Sequence, residues 1–244
     1  MSRYVVTATW SDVPHLTENQ KSELLASIPP YQRDARSKGI PQLGSGAIYP
    51  VAEETVIEEP FELPPYWPRG YALDVGWNRT AAVWGAHDRE TDVVHLYAEH
   101  YVGQAEPATH AQAIRGRGAW MTGAIDPASR GRGQKDGEQL LQAYRDLGLN
   151  LAPAANGVES GLFEVLVRLQ TGRLRVFRTL QSWLGEFRLY RRDERGHVVK
   201  ERDHLMDATR YLIVSGVPMF GVPPDAADRI RGRRNVAISA PDPY

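Results

Sequence analysis

The sequence predicts a mixed α/β sheet flanked by helices. Two features carry that expectation: three β-rich runs in succession after Gly70, then strand-like and helix-like segments in alternation. The 244 residues, 42% hydrophobic and 24% charged, suit one large domain or two small ones. No apolar run approaches the ~18 residues needed to span a bilayer. Met1 is followed by Ser2-Arg3-Tyr4 and alternating residues, not by the apolar core of a leader. The absence of cysteine excludes disulfides, thiol nucleophiles, iron–sulfur clusters and cysteine-ligated zinc. A cytosolic enzyme or binding protein is expected.

Element by element, residues 5–10 (VVTATW) alternate as a short strand does, and Thr17 opens a helix that runs through Leu25 and stops at Pro29-Pro30. Residues 39–68 are rich in Pro, Gly and Glu, hold only scraps of strand at 47–49 and 55–57, and close with the Pro64-Pro65 and Trp67-Pro68 turns. The chain therefore divides into an arm or linker over 1–69, a core domain over 70–220 and a tail over 221–244. In the core, residues 71–75, 80–86 and 93–101 form a three-stranded meander, the last two split by the turn-like His87-Asp88-Arg89-Glu90. A fourth strand over 119–125 ends at Asp126-Pro127. A helix over 137–147 stops at Gly148, and strands are expected at 149–152 and 174–177. Helical spacing recurs at 160–170, 181–189 and 204–215, with a hairpin at 191–200 around Glu194-Arg195-Gly196. There is no internal repeat and no low-complexity tract.

The acidic residues fall where chemistry is usually mounted. Asp74 ends the first core strand, before a glycine that lets backbone or ligand approach closely. Asp126 ends another strand, and Asp203 and Asp207 lie one helical turn apart at the start of the last helix. In open α/β sheets, ligand sites lie beyond the carboxyl ends of strands. If these carboxylates converge, the pocket suits a hard divalent cation, Mg²⁺ or Mn²⁺. Each has a structural alternative: Asp203 as a helix N-cap, Asp126-Pro127 as a turn opener. An apolar strand offers Asp74 little structural reason to be there.

Six segments resemble the nuclease domain of the large terminase subunit of tailed bacteriophages, an RNase H-like fold of the retroviral-integrase superfamily. They are TATWSDVPHL, PPYQRDARSKGIPQLGSGAIYP, ALDVGWNRTAAVWGAHD, GAIDPASRGRGQKDG, WLGEFRLYRRDE and ERDHLMDATRYL, in that order across nearly the whole chain. The resemblance implies a metal-dependent endonuclease that cuts concatemeric double-stranded viral DNA during genome packaging in the host cytoplasm. It implies two divalent metal ions, Mg²⁺ or Mn²⁺, with Asp74 bridging them, Asp126 holding one and the Asp203/Asp207 pair the other. The family often carries a second Asp directly after the position of Asp203, where this chain has His204. Asp203, Asp207 and His204 therefore all stay open as the ligand that completes the site; Asp203 is favoured, with Asp207 a second or outer ligand.

Cutting duplex DNA also requires basic residues at phosphates. The candidates are Arg79 near the first Asp, Arg130, Arg132 and Lys135 after Asp126, and Arg191, Arg192 and Lys200 before the last helix. Charge count alone is less informative: seven arginines between 163 and 192 against Glu164 and Glu186 read as a solvated face. Trp77, Trp84, Trp120 and Trp183 are expected mostly in the core, and weak sequence specificity is expected of the cut. The family joins this domain to a packaging ATPase, a small subunit and a portal protein. No G-x-x-x-x-G-K-[ST] phosphate loop occurs here, so the chain is expected to be the C-terminal half, with residues 1–69 leading from the motor. Three other readings compete: a Holliday-junction-resolvase-like nuclease, an actin/sugar-kinase-like ATP-binding domain, and a docking module with structural acids. The second lacks a later Asp-Gly-Gly phosphate motif. The third leaves like charges together with nothing to offset them.

Overall fold

Seven strands are present in the computed structural model, which describes residues 9–12, 15–28, 33–38, 46–127 and 136–226. They are β1 (Ile57–Glu58), β2 (Arg69–Asp74), β3 (Thr80–Asp88), β4 (Val93–Val102), β5 (Thr122–Ile125), β6 (Asn150–Pro153) and β7 (Leu174–Phe177). They form one sheet in the order β1-β7-β4-β3-β2-β5-β6. The β2–β3 and β3–β4 pairs are antiparallel and all the others parallel, so β3 alone runs against the other six. β2 and β3 are nearly continuous apolar runs because helices cover the sheet on both faces.

Side-chain alternation sorts the core into two layers. Tyr71, Leu73 and Ile125 enter a cluster with Ala111 and Ile114 of α4 (Pro107–Arg115) and Leu141 and Tyr144 of α5 (Asp136–Asp146). Ala72 and Ala124 enter the opposite cluster, with α6 (Val158–Gln170), α7 (Gln181–Leu189) and α8 (His204–Tyr211). Helix α8 is buried almost all round and continues into a π-helical turn, Leu212–Gly216.

Most expected elements lie within two residues of their predicted bounds, and the differences have local causes. The strand expected at 119–125 shortens to β5, because the residues before it are wound in turns around Gly118, at φ 142°. The hairpin at 191–200 is a chain reversal held by one antiparallel bridge, Arg192 to Val198. Helix α4 was not expected; its buried residues are only His110, Ala111 and Ile114.

The first segment departs further from expectation. Thr17 and Gln20 form a reciprocal capping box at the start of α1 (Glu18–Ser27), and α2 (Arg33–Lys38) follows. The strand expected at 5–10 lies largely outside the described residues, and Trp10–Asp12 is a 3₁₀ turn. Residues 46–69 are part of the folded body instead of a linker: Ile48, Tyr49, Ala52 and Val56 are core residues. The strand scrap at 55–57 is the end of α3 (Glu53–Val56) and the start of β1, which pairs with β7. Past residue 220, Gly221 exchanges backbone hydrogen bonds with Arg69 at 2.7 and 3.2 Å.

Candidate active site

Register puts the two strand-end acids side by side. β2 and β5 are adjacent and parallel, with Leu73 opposite Ile125, and the Asp126 N–H donates to the Leu73 carbonyl at 2.9 Å. Asp74 shares the parity of Ala72, and Asp126 that of Ala124. Both therefore emerge on the face covered by α8.

Helix α8 meets them with residues at i, i+3 and i+7. His204 Nδ1 lies 2.9 Å from Asp74 Oδ2, Asp207 comes one turn later, and the Tyr211 hydroxyl donates to Asp126 Oδ1 at 3.1 Å. The Asp74 carboxyl is pushed up to about 6 by burial, with the negative charges of Asp207 and Asp126 adding to the shift against the His204 hydrogen bond. Burial likewise raises the Tyr211 hydroxyl, helped by Asp207, Asp126 and Asp74. The charges of Asp126 and Asp207 thus both act on Asp74. The hydrogen bond to Asp74 raises the His204 imidazole, against its burial.

Asp203 stands one step back. Its charge acts on His204, Lys200 and Tyr190. It is the N-cap residue of α8, but its side chain makes no cap hydrogen bond. That work falls to Glu186, whose Oε2 accepts the Leu205 N–H at 2.6 Å while Oε1 accepts the Tyr101 hydroxyl at 2.6 Å. The N-cap alternative for Asp203 is therefore overturned. Asp203 Oδ2 is buried and has no hydrogen-bond donor; the Lys200 ammonium sits 3.1 Å away, outside hydrogen-bond geometry.

Positive charge at this centre comes from the chain itself. Lys200 Nζ donates to Asp207 Oδ2 at 2.8 Å, and Arg210 Nη2 donates to Asp207 Oδ1 at 3.0 Å. Burial works against the Lys200 ammonium, but Asp207 and Asp203 outweigh it and hold its pKa above the usual lysine value. Arg210 reaches Asp207 past Gly161 of α6, where a Cβ would sit 2.7 Å from the Arg210 side chain. Among the described residues, no three carboxylate or imidazole groups surround a common point where a metal ion would sit. The donor set nonetheless fits one: oxygen ligands of the kind hard cations take, crowded enough to raise Asp74, with one buried carboxylate oxygen lacking a donor.

The basic candidates fare unevenly. Arg79 packs on the Tyr101 ring, 4.4 Å from its centroid. Arg192 is held by Glu159 at 2.6 and 3.0 Å, Arg191 bridges to Ala47 through its backbone, and Lys200 is on the carboxylates. Arg130, Arg132 and Lys135 lie outside the described residues. Trp84 and Trp183 are fully buried and Trp120 partly so, as expected; Trp77 is 64% exposed.

Sequence reasoning passed over Tyr211, Arg210, Glu186 and Tyr101. Tyr211 and Asp207 are four residues apart on one helix, a signal that was available. Glu186 gave none, since an acid amid arginines reads as solvated, and it is 3% exposed.

An RNase H-like sheet with acids at the ends of adjacent parallel strands and on the helix crossing them defines the class. The model of the terminase RNase H-like domain matches residues 72–215, and the chain belongs to that family. It is 38% identical over 225 residues to the terminase large subunit of Salmonella phage P22, covering 86% of this chain and 44% of that protein. The corresponding subunit of Enterobacteria phage LP7 matches equally, at 46% of its length. The chain thus spans less than half of these curated relatives. Its fold superposes on the nuclease domain of P22 large terminase with a TM-score of 0.69 and 31% identity, over 75% of this chain and 98% of that one. The large terminase nuclease of thermophilic phage G20c with bound magnesium shares the fold at a TM-score of 0.51 and 16% identity, over 71% and 97% of the two chains. Family membership sets aside the sugar-kinase-like and docking-module readings.

Proposed function

We propose that this domain is the metal-dependent endonuclease of a phage packaging motor, cutting concatemeric double-stranded DNA with weak sequence specificity. The observation that carries the proposal is the convergence of Asp74, Asp126 and Asp207, from β2, β5 and α8, in a site that raises the Asp74 carboxyl. Two divalent cations, Mg²⁺ or Mn²⁺, would supply the activated water and the charge neutralisation that phosphodiester hydrolysis needs. The G20c nuclease that shares the fold is a magnesium-bound case. We assign Asp74, Asp126 and Asp207 as ligands and Asp203 as an outer one, the reverse of the sequence preference within the i,i+4 pair.

The remaining groups orient the ligands. The Tyr211 hydroxyl turns Asp126 by donating to one of its oxygens, and His204 does the same for Asp74. Glu186 fixes the first turn of α8, which carries His204 and Asp207. We assign backbone contacts to Arg79 and Arg191, with Arg130, Arg132 and Lys135 as further phosphate contacts; Arg192 and Lys200 are engaged by Glu159 and Asp207 instead. By the same family reading, residues before the domain lead from a packaging ATPase. The assembled partners are then a terminase small subunit and a portal protein, in the host cytoplasm.

The test is conversion of supercoiled plasmid to nicked and linear forms with Mn²⁺, Mg²⁺ or EDTA, comparing the protein with Asp74→Asn. Cutting that needs metal and disappears in the variant is expected. Cutting that survives Asp74→Asn overturns the assignment, as does failure to cut together with failure to bind either metal.

A further inference from the structure

Beside the carboxylates opens a cleft of about 690 Å³, lined by Asn78, Arg79, Tyr101, Ser182, Arg202 and His204 among others. His204 connects it to Asp74. Arg79 and Arg202 differ from Arg188, which also lines the cleft but is tied to Glu53 at 2.5 Å. Neither Arg79 nor Arg202 has a carboxylate partner among the described residues. Both guanidinium charges act on the Tyr101 hydroxyl, and Tyr101 is anchored to Glu186. Arg202 has φ 53°, a left-handed backbone that costs a non-glycine residue energy and is held here directly before Asp203.

The turn that leads into the cleft-lining Asn78 and Arg79 packs closely against the chain after β4. The turn between β2 and β3 presents Trp77 to solvent, and the Gln104 N–H donates to the Trp77 carbonyl at 2.8 Å. Gly103 presses so close that a Cβ there would lie 2.1 Å from the Asn78 carbonyl oxygen, and Gln104 takes φ 53°. Two backbone concessions, a glycine approach and a left-handed glutamine, thus pin a turn whose outward feature is an exposed indole. An exposed indole one residue before the cleft-lining Asn78 and Arg79, together with two guanidinium groups that have no carboxylate partner among the described residues, matches a ligand with both a π-face and negative charge.

We propose that this cleft and its turn hold a single, locally unpaired DNA strand on its way to the carboxylates. Arg79 and Arg202 receive its phosphates, and Trp77 stacks on one of its bases. A duplex, whose bases are already stacked on each other, offers Trp77 no free base face. The inference rests on the nuclease reading for its biological sense, but it is tested without cleavage.

The experiment measures anisotropy of a short labelled oligothymidylate in EDTA over a salt series, together with quenching of the protein's tryptophan emission. Base–aromatic stacking implies that Trp77→Ala weakens binding about fivefold or more and removes most of the quenching. Arg79→Gln and Arg202→Gln should each weaken binding severalfold and make the slope of log K against log salt less negative by about 0.7, the single-strand value per phosphate contact. An abasic oligonucleotide should keep the arginine dependence and cause no quenching. The proposal is overturned if Trp77→Ala leaves the quenching intact, if Arg202→Gln leaves both affinity and slope unchanged, or if a blunt duplex quenches as strongly as the single strand. Thermal melting of each variant separates loss of binding from loss of fold. A protein that cuts plasmid yet fails here loses only this site; one that passes here but cuts with no metal loses only the proposed function.

Discussion

Two sets of arginines occupy this molecule on different terms. In the run from 163 to 192, six of seven are matched by carboxylates: Arg168 and Arg173 by Asp92, Arg175 by Glu58, Arg178 by Glu59, Arg188 by Glu53 and Arg192 by Glu159. Every one of those five acids lies outside the run, so most of the positive surplus counted along the chain is offset in space. At the cleft, Arg79 and Arg202 have no such partners among the described residues, although Arg202 sits in the charge-balanced stretch Lys200-Glu201-Arg202-Asp203. The contrast teaches that a site's cations are identified by missing partners, not by density along the chain. Among the acids, Glu58 and Glu53 offset neighbouring cations, whereas Asp74 meets the like charges of Asp207 and Asp126.

The sharpest way to test that division is within the acidic i,i+4 pair. If Asp207 belongs to the centre and Asp203 stands behind it, Asp207→Asn should lower plasmid cleavage at least about a hundredfold, the order expected from losing a few kcal/mol of metal-held charge stabilisation. Asp203→Asn should cost about tenfold or less, as outer-shell substitutions commonly do. Equal losses in single-turnover assays would remove the distinction.

A smaller effect is expected at Lys200, the cation that sits on the acids themselves. Its ammonium occupies Asp207 Oδ2, an oxygen that a divalent ion would need, and approaches Asp203. Lys200→Gln should therefore bind Mn²⁺ more tightly, by about tenfold if one charge-assisted hydrogen bond no longer competes. Titration calorimetry without DNA reads this directly. Unchanged or weaker Mn²⁺ binding would show that Lys200 does not contest the ion's place.

How much of this was legible depended on whether the signal was local. β2 and β3 are nearly continuous apolar runs, and Asp74 ends the first of them, so both strand and site were visible in one stretch. The i,i+4 spacing of Asp203 and Asp207 was equally visible, although Asp203 is the N-cap residue of α8 and only Asp207 lies within it. Which of the two faces the centre was not visible, because it depends on how α8 crosses β2 and β5. The burial within residues 46–69 is hidden by their Pro- and Glu-rich composition, because it comes from single residues such as Tyr49 and Val56 that join the cluster with α6, α7 and α8. Helix α4 went unseen for a related reason: three buried positions in nine residues give little period, and Pro107 at its first turn was the one usable mark. Glu186 was hidden by its neighbours, since its partners, Tyr101 and the first turn of α8, come from elsewhere in the chain.

The smallest effect is expected where the matched set is most exposed. Arg178 and Glu59 meet at 2.7 Å with side chains 64% and 71% exposed, so water screens the pair and both side chains lose freedom in making it. Arg178→Gln should change stability by no more than about 0.5 kcal/mol, a shift in Tm of about 2 °C at most for a chain of this size. It should also leave oligothymidylate affinity and its salt slope where they are, in contrast to Arg202→Gln. A salt slope that fell for Arg178→Gln as well would mean that the matched arginines also reach phosphates, and that partnership does not separate the two sets.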